Sequence, residues 1–310
     1  MNIEGWVFAF PGLQPFDLNA AQVLRRTRSR AERVVRACDE IVRREAGHSI
    51  MPLWRGETSV GAVVDCRRCY PLALAHQIAL VECLSDEGIV PAASVGLSAG
   101  EPAAAYAAGM LGLEDAMRIA IHTGWGLEKH QRWQRIASLH AGALAVDALL
   151  GKDRVAVDVA MVISDRLTVV SGDSVAIERL LARATSAGVG QTQVPFTFGA
   201  HNRHMDAMRA PLIAALSGMR PRAAACRLVS AATGSWIEDP CDLGPEFWWL
   251  HASARIALAE ALDKLWDAGY RRFIEMGHRS LFSAELARRG AHLWSATDLI
   301  ASQVALEGAS

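Results

Sequence analysis

A serine between two glycines is the strongest chemical signal in this sequence. Ser98 is the central residue of Gly-Leu-Ser-Ala-Gly at 96–100, between the β-rich run "ASV" and the alanine-rich stretch "EPAAAYAAGM". Flanking glycines let a backbone turn sharply from a strand into a helix, and such a corner exposes the serine hydroxyl as a nucleophile. The following helix would direct N–H groups and its dipole at an oxyanion formed beside the serine. The alternative is a plain strand-to-helix turn that performs no chemistry.

A serine of ordinary pKa needs a base, and His201 is placed to provide one. Of the ten histidines, His201 is the one that follows the strand-like "VPFTF" and begins the helical stretch "NRHMDAMRAPLIAAL". It therefore stands at a second strand-to-helix junction. A competing interpretation groups His201, His204 and Asp206 as a zinc site. Because a metal would occupy the imidazole that Ser98 needs, we favour the base and expect no bound metal.

Composition and charge narrow the class of protein. The 310 residues include 32 Lys and Arg against 33 Asp and Glu, and the net charge of −1 gives no general attraction to nucleic acid or to an acidic membrane surface. No apolar run reaches the ~18 residues of a membrane span, and the N-terminus lacks the basic start of a signal peptide. The six cysteines are scattered and predict reduced thiols. We therefore expect a cytoplasmic protein with no nucleic-acid or membrane partner.

Strand-like and helix-like segments alternate through most of the chain. This alternation predicts a parallel sheet that is covered by helices on both faces. The predicted strands are 5–10, 93–98, 226–232 and 271–277, and the predicted helices are 19–45, 72–87, 99–109, 113–124 and 251–268.

The middle of the chain has a different order of elements. It predicts a small α+β unit inserted into a larger α/β unit, with a large subdomain at 1–126 and 199–310 and a small one at 127–198. A cleft between two such units is a common position for a ligand site. The predicted elements are a helix at 126–150, strands at 155–163 and 167–172, a helix at 174–187 and a strand at 191–198.

Several segments, spread over the whole chain in order, resemble one enzyme family. "VGLSAGEPAAAYAAGMLGLEDAMRIA" resembles the Gly-His-Ser-x-Gly-Glu segment and following helices of the malonyl-CoA:acyl-carrier-protein acyltransferase family, which includes the acyltransferase domains of polyketide synthases. "FGAHNRHM" is similar to its catalytic-histidine segment, and "FAFPGLQ" to its N-terminal Phe-Pro-Gly-Gln-Gly. "LTVVSG", "SAATGSWI" and "FIEMGHRSLF" resemble its small-subdomain strand, a later strand–turn and its C-terminal turn.

The resemblance implies a fold and a set of roles. The fold is α/β, with an α/β-hydrolase-like large subdomain built on a parallel sheet and an inserted ferredoxin-like small subdomain. Ser98 would carry the acyl group as an ester, and His201 would act first as general base and then as general acid, in a ping-pong reaction. The backbone N–H groups of Leu13 and Ala99 would form the oxyanion hole, since a main-chain donor tolerates Leu where the family has Gln. A backbone carbonyl near the C-terminal turn, which contains His278, would orient the catalytic histidine.

Departures from the family pattern point away from a malonyl group. Malonyl-selecting members hold the free carboxylate with an arginine, and Thr123 stands at that position. A hydroxyl cannot replace a bidentate guanidinium, and a buried carboxylate without a partner is strongly destabilised. The neighbouring His122 would compensate in part if it were protonated.

Small and apolar substitutions extend this prediction. Ala200 precedes the histidine where malonyl-selecting members carry a bulky Phe, Leu97 replaces a histidine before the serine, and Ile163 replaces an Asn. We therefore predict that Ala200 and Leu97 line a pocket for a larger, uncharged acyl group. Trp125 and Trp133 would either line this pocket or pack the small subdomain.

The resemblance also implies the partners. The acyl group would arrive as an acyl thioester and leave on an acyl carrier protein, so phosphopantetheine would belong to the donor or acceptor and this chain would bind no cofactor. Carrier proteins are acidic, which makes clustered arginines candidates for docking, although the acids between them favour an ordinary solvated surface. The clusters are Arg25, Arg26, Arg28, Arg30, Arg33 and Arg36, and Arg220, Arg222 and Arg227.

These observations predict a trans-acting acyltransferase that moves a non-malonyl acyl group through Ser98 to or between carrier proteins in polyketide or hybrid natural-product biosynthesis. The alternative is a hydrolase of acyl thioesters on acyl carrier proteins, in which water replaces the acceptor thiol. A catalytically silent scaffold is disfavoured because both Ser98 and His201 are present.

Overall fold

Two β-sheets organise the chain in the computed structural model, which describes residues 5–58, 65–130, 133–193, 198–277 and 281–307. The strands, β1 to β10 in chain order, are Trp6–Phe10, Pro91–Gly96, Gln134–Leu139, Val157–Ser164, Leu167–Asp173, Gln191–Gln193, Arg227–Ser230, Ser235–Ile237, Arg272–Glu275 and His292–Ser295. The helices, α1 to α13, are Leu18–Thr27, Ser29–Ala46, Met51–Arg55, Cys66–Asp86, Glu101–Ala107, Leu113–His130, Ala143–Leu150, Ser174–Ser186, Arg209–Ala215, Pro245–Ser253, Leu258–Asp267, Leu281–Arg288 and Ala296–Glu307.

The larger sheet has the strand order β10-β9-β1-β2-β7-β8. Its neighbouring strands pair in parallel, except that β8 is antiparallel to β7. In the central strand β1, Val7, Phe8, Ala9 and Phe10 are completely buried. Burial of successive residues means that helices cover both faces of the sheet, as a parallel sheet requires. The predicted α/β architecture is therefore confirmed.

The smaller sheet is antiparallel and has the order β4-β5-β3-β6. Helices α7 and α8 cover one of its faces, where Val146 and Leu180 are buried in one cluster with Leu139 of β3. Four antiparallel strands with two helices on one face are the small α+β unit that the sequence predicts. Its boundaries at 126/127 and 198/199 stay a prediction.

The two sheets share a hydrophobic core. Met161 of β4 and Val169 of β5 belong to the same buried cluster as Val95 of β2 and Leu262 of α11. The Ile256 N–H also donates to the β4 backbone, 2.8 Å from the Ala160 oxygen. These contacts seat the smaller sheet against the larger one and leave a cleft between them.

One predicted helix is partly a strand. The sequence predicts a helix over 126–150, but α6 ends at His130 and Gln134–Leu139 forms β3. β3 bonds to β5 along one edge and to β6 along the other. Its conformation is therefore set by partners distant in sequence, which a local pattern does not reveal.

Two other predicted helices are interrupted. The extended backbone of Arg28, with φ −138°, separates α1 from α2 within the predicted helix 19–45. The predicted helix 251–268 is divided between α10 and α11, because the chain is extended at Ala254. Within the described residues, no helix combines the length and the apolar character that a bilayer crossing requires.

Candidate active site

Ser98 and His201 meet at the carboxyl end of the larger sheet. The distance from Ser98 Oγ to His201 Nε2 is 2.8 Å, although the residues are 103 positions apart. Ser98 begins a short 3-10 turn, Ser98–Gly100, that connects β2 to α5. His201 lies where the chain returns from the smaller sheet, and its backbone N–H donates to the Ala252 oxygen at 3.1 Å. The two predicted junctions therefore form one site.

Both residues have a left-handed backbone. The φ angle is +50° at Ser98 and +57° at His201, and no other non-glycine residue in the described part of the chain has a positive φ. That conformation costs a residue with a β-carbon about 1–2 kcal/mol. Backbone strain of this kind is concentrated at functional sites, where surrounding contacts hold it in place.

The glycines on either side of Ser98 have a steric role. A β-carbon at Gly96 would collide with the backbone of Glu101, and one at Gly100 would collide with the carbonyl oxygen of Phe10. The corner is thus too tight for a side chain at either position. This is the physical reason for a Gly-x-Ser-x-Gly pattern at a sharp strand-to-helix turn.

His201 is buried and uncharged. Burial lowers the pKa of its imidazole to about 3, with a smaller contribution from the neighbouring His251, while the backbone at Ala254 and His251 opposes the shift. A neutral imidazole with its proton on Nδ1 has a free electron pair on Nε2. In that tautomer, Nε2 accepts the Ser98 O–H across the 2.8 Å contact, which is the arrangement of a base beside its nucleophile.

The backbone groups beside the His201 imidazole belong to the end of α10. They are those of His251 and Ala254, although Nδ1 makes no hydrogen bond of ordinary geometry within the described residues. The sequence instead implies orientation by a carbonyl near the C-terminal turn. His278 in that turn lies outside the described residues.

A cavity of about 140 Å³ lies beside the two side chains. Its walls come from the smaller sheet, from the segments that follow β1 and β2, from the segment around His201, and from α4 and α6, and they are mainly apolar. Ser98 and His201 line it together with Gly12, Leu13, Tyr70, Leu97, Leu127, Ile136, Ser138, Ala160, Met161, Val169, Phe198 and Ala200. A larger hollow of about 430 Å³, near the start of β2 and β7, contains neither Ser98 nor His201.

The two predicted oxyanion-hole segments flank Ser98. Leu13 lines the cavity, and a β-carbon at Gly12 would lie 3.5 Å from Ser98 Cβ. Ala99 is buried and is the residue after Ser98 in the 3-10 turn. N–H groups in the first turn of a helix have no partner inside that helix, so they are available to a ligand.

The predicted acyl-binding residues divide into two groups. Leu97 and Ala200 line the cavity, whereas Thr123, His122 and Trp125 do not. Thr123 is buried and its hydroxyl has no hydrogen-bond partner among the described residues. His122 Nε2 lies 3.5 Å from Glu45, and burial lowers its pKa, so it provides no cation for a carboxylate. Trp125 is 45% exposed.

Helix geometry explains this division. Leu127 of α6 lines the cavity. Residues on a helix are separated by 100°, so Trp125 and His122 face away from the side that Leu127 occupies. Thr123 is four residues from Leu127 and shares its side, but lies about 6 Å away along the axis. Trp133 is 51% exposed and its ring meets that of His204, with centroids 6.3 Å apart.

Some residues of the site carry no signal in a single sequence. Tyr70, Leu127 and Met161 line the cavity because distant elements pack against the Ser98 turn. His251 and Glu101, each 1% exposed, lie behind the turn, with His251 Nε2 3.8 Å from Glu101 Oε2. A lone histidine at the end of an aromatic helix is indistinguishable in sequence from an ordinary buried one.

Much of the first arginine cluster is paired with acids. Arg28 bonds to Glu87 at 2.8 Å, and Arg30 bonds to Glu82. Arg36 lies 3.0 Å from Glu32. These pairs agree with an ordinary solvated helix surface. In the second cluster, Arg227 stacks on the ring of Trp236, 3.6 Å from its centroid.

Among the residues that the structure describes, no group of three or more His, Cys, Asp or Glu side chains is arranged to hold a metal ion. His201 faces Ser98, and His204 faces Trp133. The two histidines of the competing zinc interpretation therefore have separate partners.

The fold and the site together define a class of protein. An α/β chain with a serine at a strand-to-helix corner and a histidine within hydrogen-bond reach is typical of enzymes that form acyl-serine esters. Residues 19–301 match the family described as the acyl transferase domain, and this chain belongs to that family.

Relatives and solved structures agree with this assignment. The chain is 29% identical over 280 residues to erythronolide synthase EryA3 of Saccharopolyspora erythraea. The aligned residues make up 90% of this chain but only 9% of that protein. It resembles the loading acyltransferase of the avermectin modular polyketide synthase with a TM-score of 0.86 and 26% identity, covering 94% of this chain and 93% of that one. It also shares its fold with the malonyl CoA-acyl carrier protein transacylase of Coxiella burnetii, with a TM-score of 0.85, 17% identity and 96% of each chain covered.

Proposed function

We propose that this chain transfers a non-malonyl acyl group through an ester on Ser98, to or between acyl carrier proteins, in polyketide or hybrid natural-product biosynthesis. It acts in trans, as a catalyst separate from the carrier. The 2.8 Å contact between Ser98 Oγ and His201 Nε2, at an apolar cavity, is the observation that carries the proposal. Membership of the acyl transferase domain family supports it.

The first half of the reaction loads Ser98. His201 Nε2 takes the hydroxyl proton as Ser98 Oγ attacks the thioester carbonyl. The oxyanion lies between the N–H groups of Leu13 and Ala99, and one such donor contributes about 10²–10³-fold to kcat. The C–S bond then breaks, and the leaving thiolate takes the proton from the imidazolium. Because burial keeps the pKa of His201 low, the imidazolium is a strong acid for this step.

The second half unloads the ester. The phosphopantetheine thiol of a carrier protein enters the vacated position, and His201 removes its proton. Attack on the ester forms a new thioester, and Ser98 Oγ recovers a proton from the imidazolium. The prosthetic group belongs to the partner, so this chain requires no bound cofactor for either half.

The cavity favours a short, uncharged acyl chain. Among the residues that the structure describes, no Arg or Lys side chain lines it, and most of its lining side chains are apolar. An apolar cavity of about 150 Å³ in another protein binds benzene, so the 140 Å³ here matches an acyl chain of about four to six carbons. A malonyl carboxylate would lie here beside none of the cationic side chains that the structure describes, and a buried carboxylate without a partner is strongly destabilised.

The test follows the acyl group with and without an acceptor. Hexanoyl-loaded carrier protein is incubated with the enzyme, and a second holo-carrier of different mass is added or withheld. We expect the hexanoyl group to appear on the second carrier, and malonyl-loaded carrier to give no transfer. Ser98→Ala is the control for transfer that does not need the ester. Release of free hexanoic acid at the same rate without an acceptor would make the chain a hydrolase and would contradict the proposal.

A further inference from the structure

One helix end contacts both strained residues. The Ala252 oxygen of α10 accepts the His201 backbone N–H at 3.1 Å. One residue earlier, His251 Nε2 lies 2.8 Å from the carbonyl oxygen of Ser98. Ser98 and His201 are the two non-glycine residues of the described chain that have a positive φ. The last turn of α10 is therefore bonded to the backbone of both.

The contact to Ser98 fixes the state of the His251 ring. A carbonyl oxygen only accepts, so His251 Nε2 must carry a proton and donate it. Burial lowers the pKa of His251 to about 4, so the ring is neutral and Nδ1 has no proton. Nδ1 has no hydrogen-bond partner among the described residues.

Glu101 lies on the other side of the same proton. Its Oε2 is 3.8 Å from His251 Nε2 and accepts the Ala232 N–H at 3.2 Å. Burial raises the pKa of Glu101 to about 8, so the carboxyl group is mostly protonated near neutral pH. The two side chains thus meet as neutral groups, and the donation by His251 goes to the Ser98 carbonyl.

We propose that His251 is a positioning residue, whose Nε2–H donation to the Ser98 carbonyl holds the nucleophile in its left-handed conformation and in register with His201. Ser98 O also accepts the Glu101 backbone N–H, so His251 supplies its second donor. Hydrogen bonds in a buried, weakly polar environment are stronger than those in water. The bond from His251 can therefore hold Ser98 in its strained backbone conformation. The inference rests on the proposed role of Ser98 as nucleophile.

The test compares two substitutions of similar size. His251→Gln keeps an N–H donor near the position of Nε2, and His251→Leu removes it. Each variant is mixed with hexanoyl-N-acetylcysteamine thioester, and the acyl-enzyme is followed by intact mass in single turnover. His140→Leu, a substitution of an exposed histidine that directly follows β3, is the matched control. Thermal unfolding checks that each variant is folded.

We expect the maximal acylation rate of His251→Leu to fall about 10- to 100-fold, because small displacements of a reacting group have effects of this size. The thioester concentration at half-maximal rate should stay the same, since His251 does not line the cavity. His251→Gln should recover most of the rate, and His140→Leu should match the wild type. A folded His251→Leu that acylates at the wild-type rate, or a His251→Gln as slow as the Leu variant, would overturn the inference.

A second measurement applies if the Leu variant does not fold. The ¹⁵N spectrum of histidine-labelled wild-type protein reports the tautomer of His251, with its signals assigned by their loss in His251→Gln. We expect a protonated Nε2 and an unprotonated Nδ1, and the opposite tautomer would overturn the inference. A wild-type protein that takes no acyl group would instead overturn the role of Ser98, and this inference with it.

Discussion

The end of the cavity that holds Ser98 is shaped by the backbone, whereas the end that we propose for the acyl chain is shaped by side chains. At the first end, Gly96 and Gly100 permit a turn that a β-carbon would block, and two residues are held at positive φ. At the second end, Met161 and Val169 of the smaller sheet face Leu97 of the larger unit. Substitutions at the first end should greatly lower the rate of acylation. Substitutions at the second end should change which acyl group is preferred and leave acylation itself in place.

The largest effect is expected from the base. His201→Ala should lower the acylation rate by about 10⁴- to 10⁶-fold, as the loss of one member of a serine–histidine pair does elsewhere. Single-turnover kinetics with hexanoyl thioester measure this. The double variant with Ser98→Ala should lose no more than Ser98→Ala alone, because the two residues act as a unit. If the acylation rate of His201→Ala were within tenfold of the wild-type rate, His201 would not be the general base.

The turn itself provides the next test. Gly100→Ala places a β-carbon against the Phe10 carbonyl, so the corner must open and Ser98 Oγ must move away from His201. We expect at least about a 100-fold loss of acylation and a lower thermal midpoint. Gly112→Ala is the matched control, because its β-carbon would meet only the end of the Arg222 side chain at 3.6 Å. Equal behaviour of the two variants would contradict the steric explanation.

The acyl end should respond by changing its selectivity. Ala160→Leu adds bulk to the wall of the cavity. We expect kcat/KM for a hexanoyl thioester to fall about 10- to 100-fold, in line with the discrimination that apolar pockets achieve. An acetyl thioester should react nearly as before. The exposed Ala182→Leu serves as control. An equal loss for both acyl groups would mean that this wall supports the catalytic turn rather than the chain.

The smallest effect on the acylation rate is expected from lowering the pH. The pKa of His201 is lowered from 6.5 to about 3 by burial, so its imidazole stays neutral as the pH falls from 7 to 5. The acylation rate should therefore change less than about twofold over this range, whereas a base with an unperturbed pKa would lose most of its activity. Rapid-quench acylation at each pH measures this. A loss of activity with a midpoint near pH 6.5 would contradict the buried, neutral state of His201.

The same burial makes the folded protein sensitive to acid. His76, His201 and His251 all have lowered pKa values, with burial as the main cause. Below pH 6.5 the unfolded chain binds protons at these positions and the folded chain does not, so stability falls as the pH decreases towards 4. Acylation at low pH should therefore be measured over short times, before the protein unfolds.

The sequence predicts the backbone end of the site far better than the acyl end. Ser98 and His201 stand in short local patterns whose glycines and strand-to-helix junctions have a steric meaning. Strand β3 depends on β5 and β6, and its Ile136 reaches the cavity only through that pairing. Trp125 attracts attention as an aromatic residue near the cleft, yet its position on α6 turns it to the surface.

The most direct test of the central claim is to locate the acyl group. Wild-type protein is treated with hexanoyl thioester, digested and sequenced by mass spectrometry, alongside His201→Ala and a malonyl thioester. We expect a hexanoyl ester on Ser98 in the wild type, only traces in His201→Ala, and no malonyl adduct. A hexanoyl group on any other residue, or a malonyl ester on Ser98 formed at the same rate, would contradict the central claim.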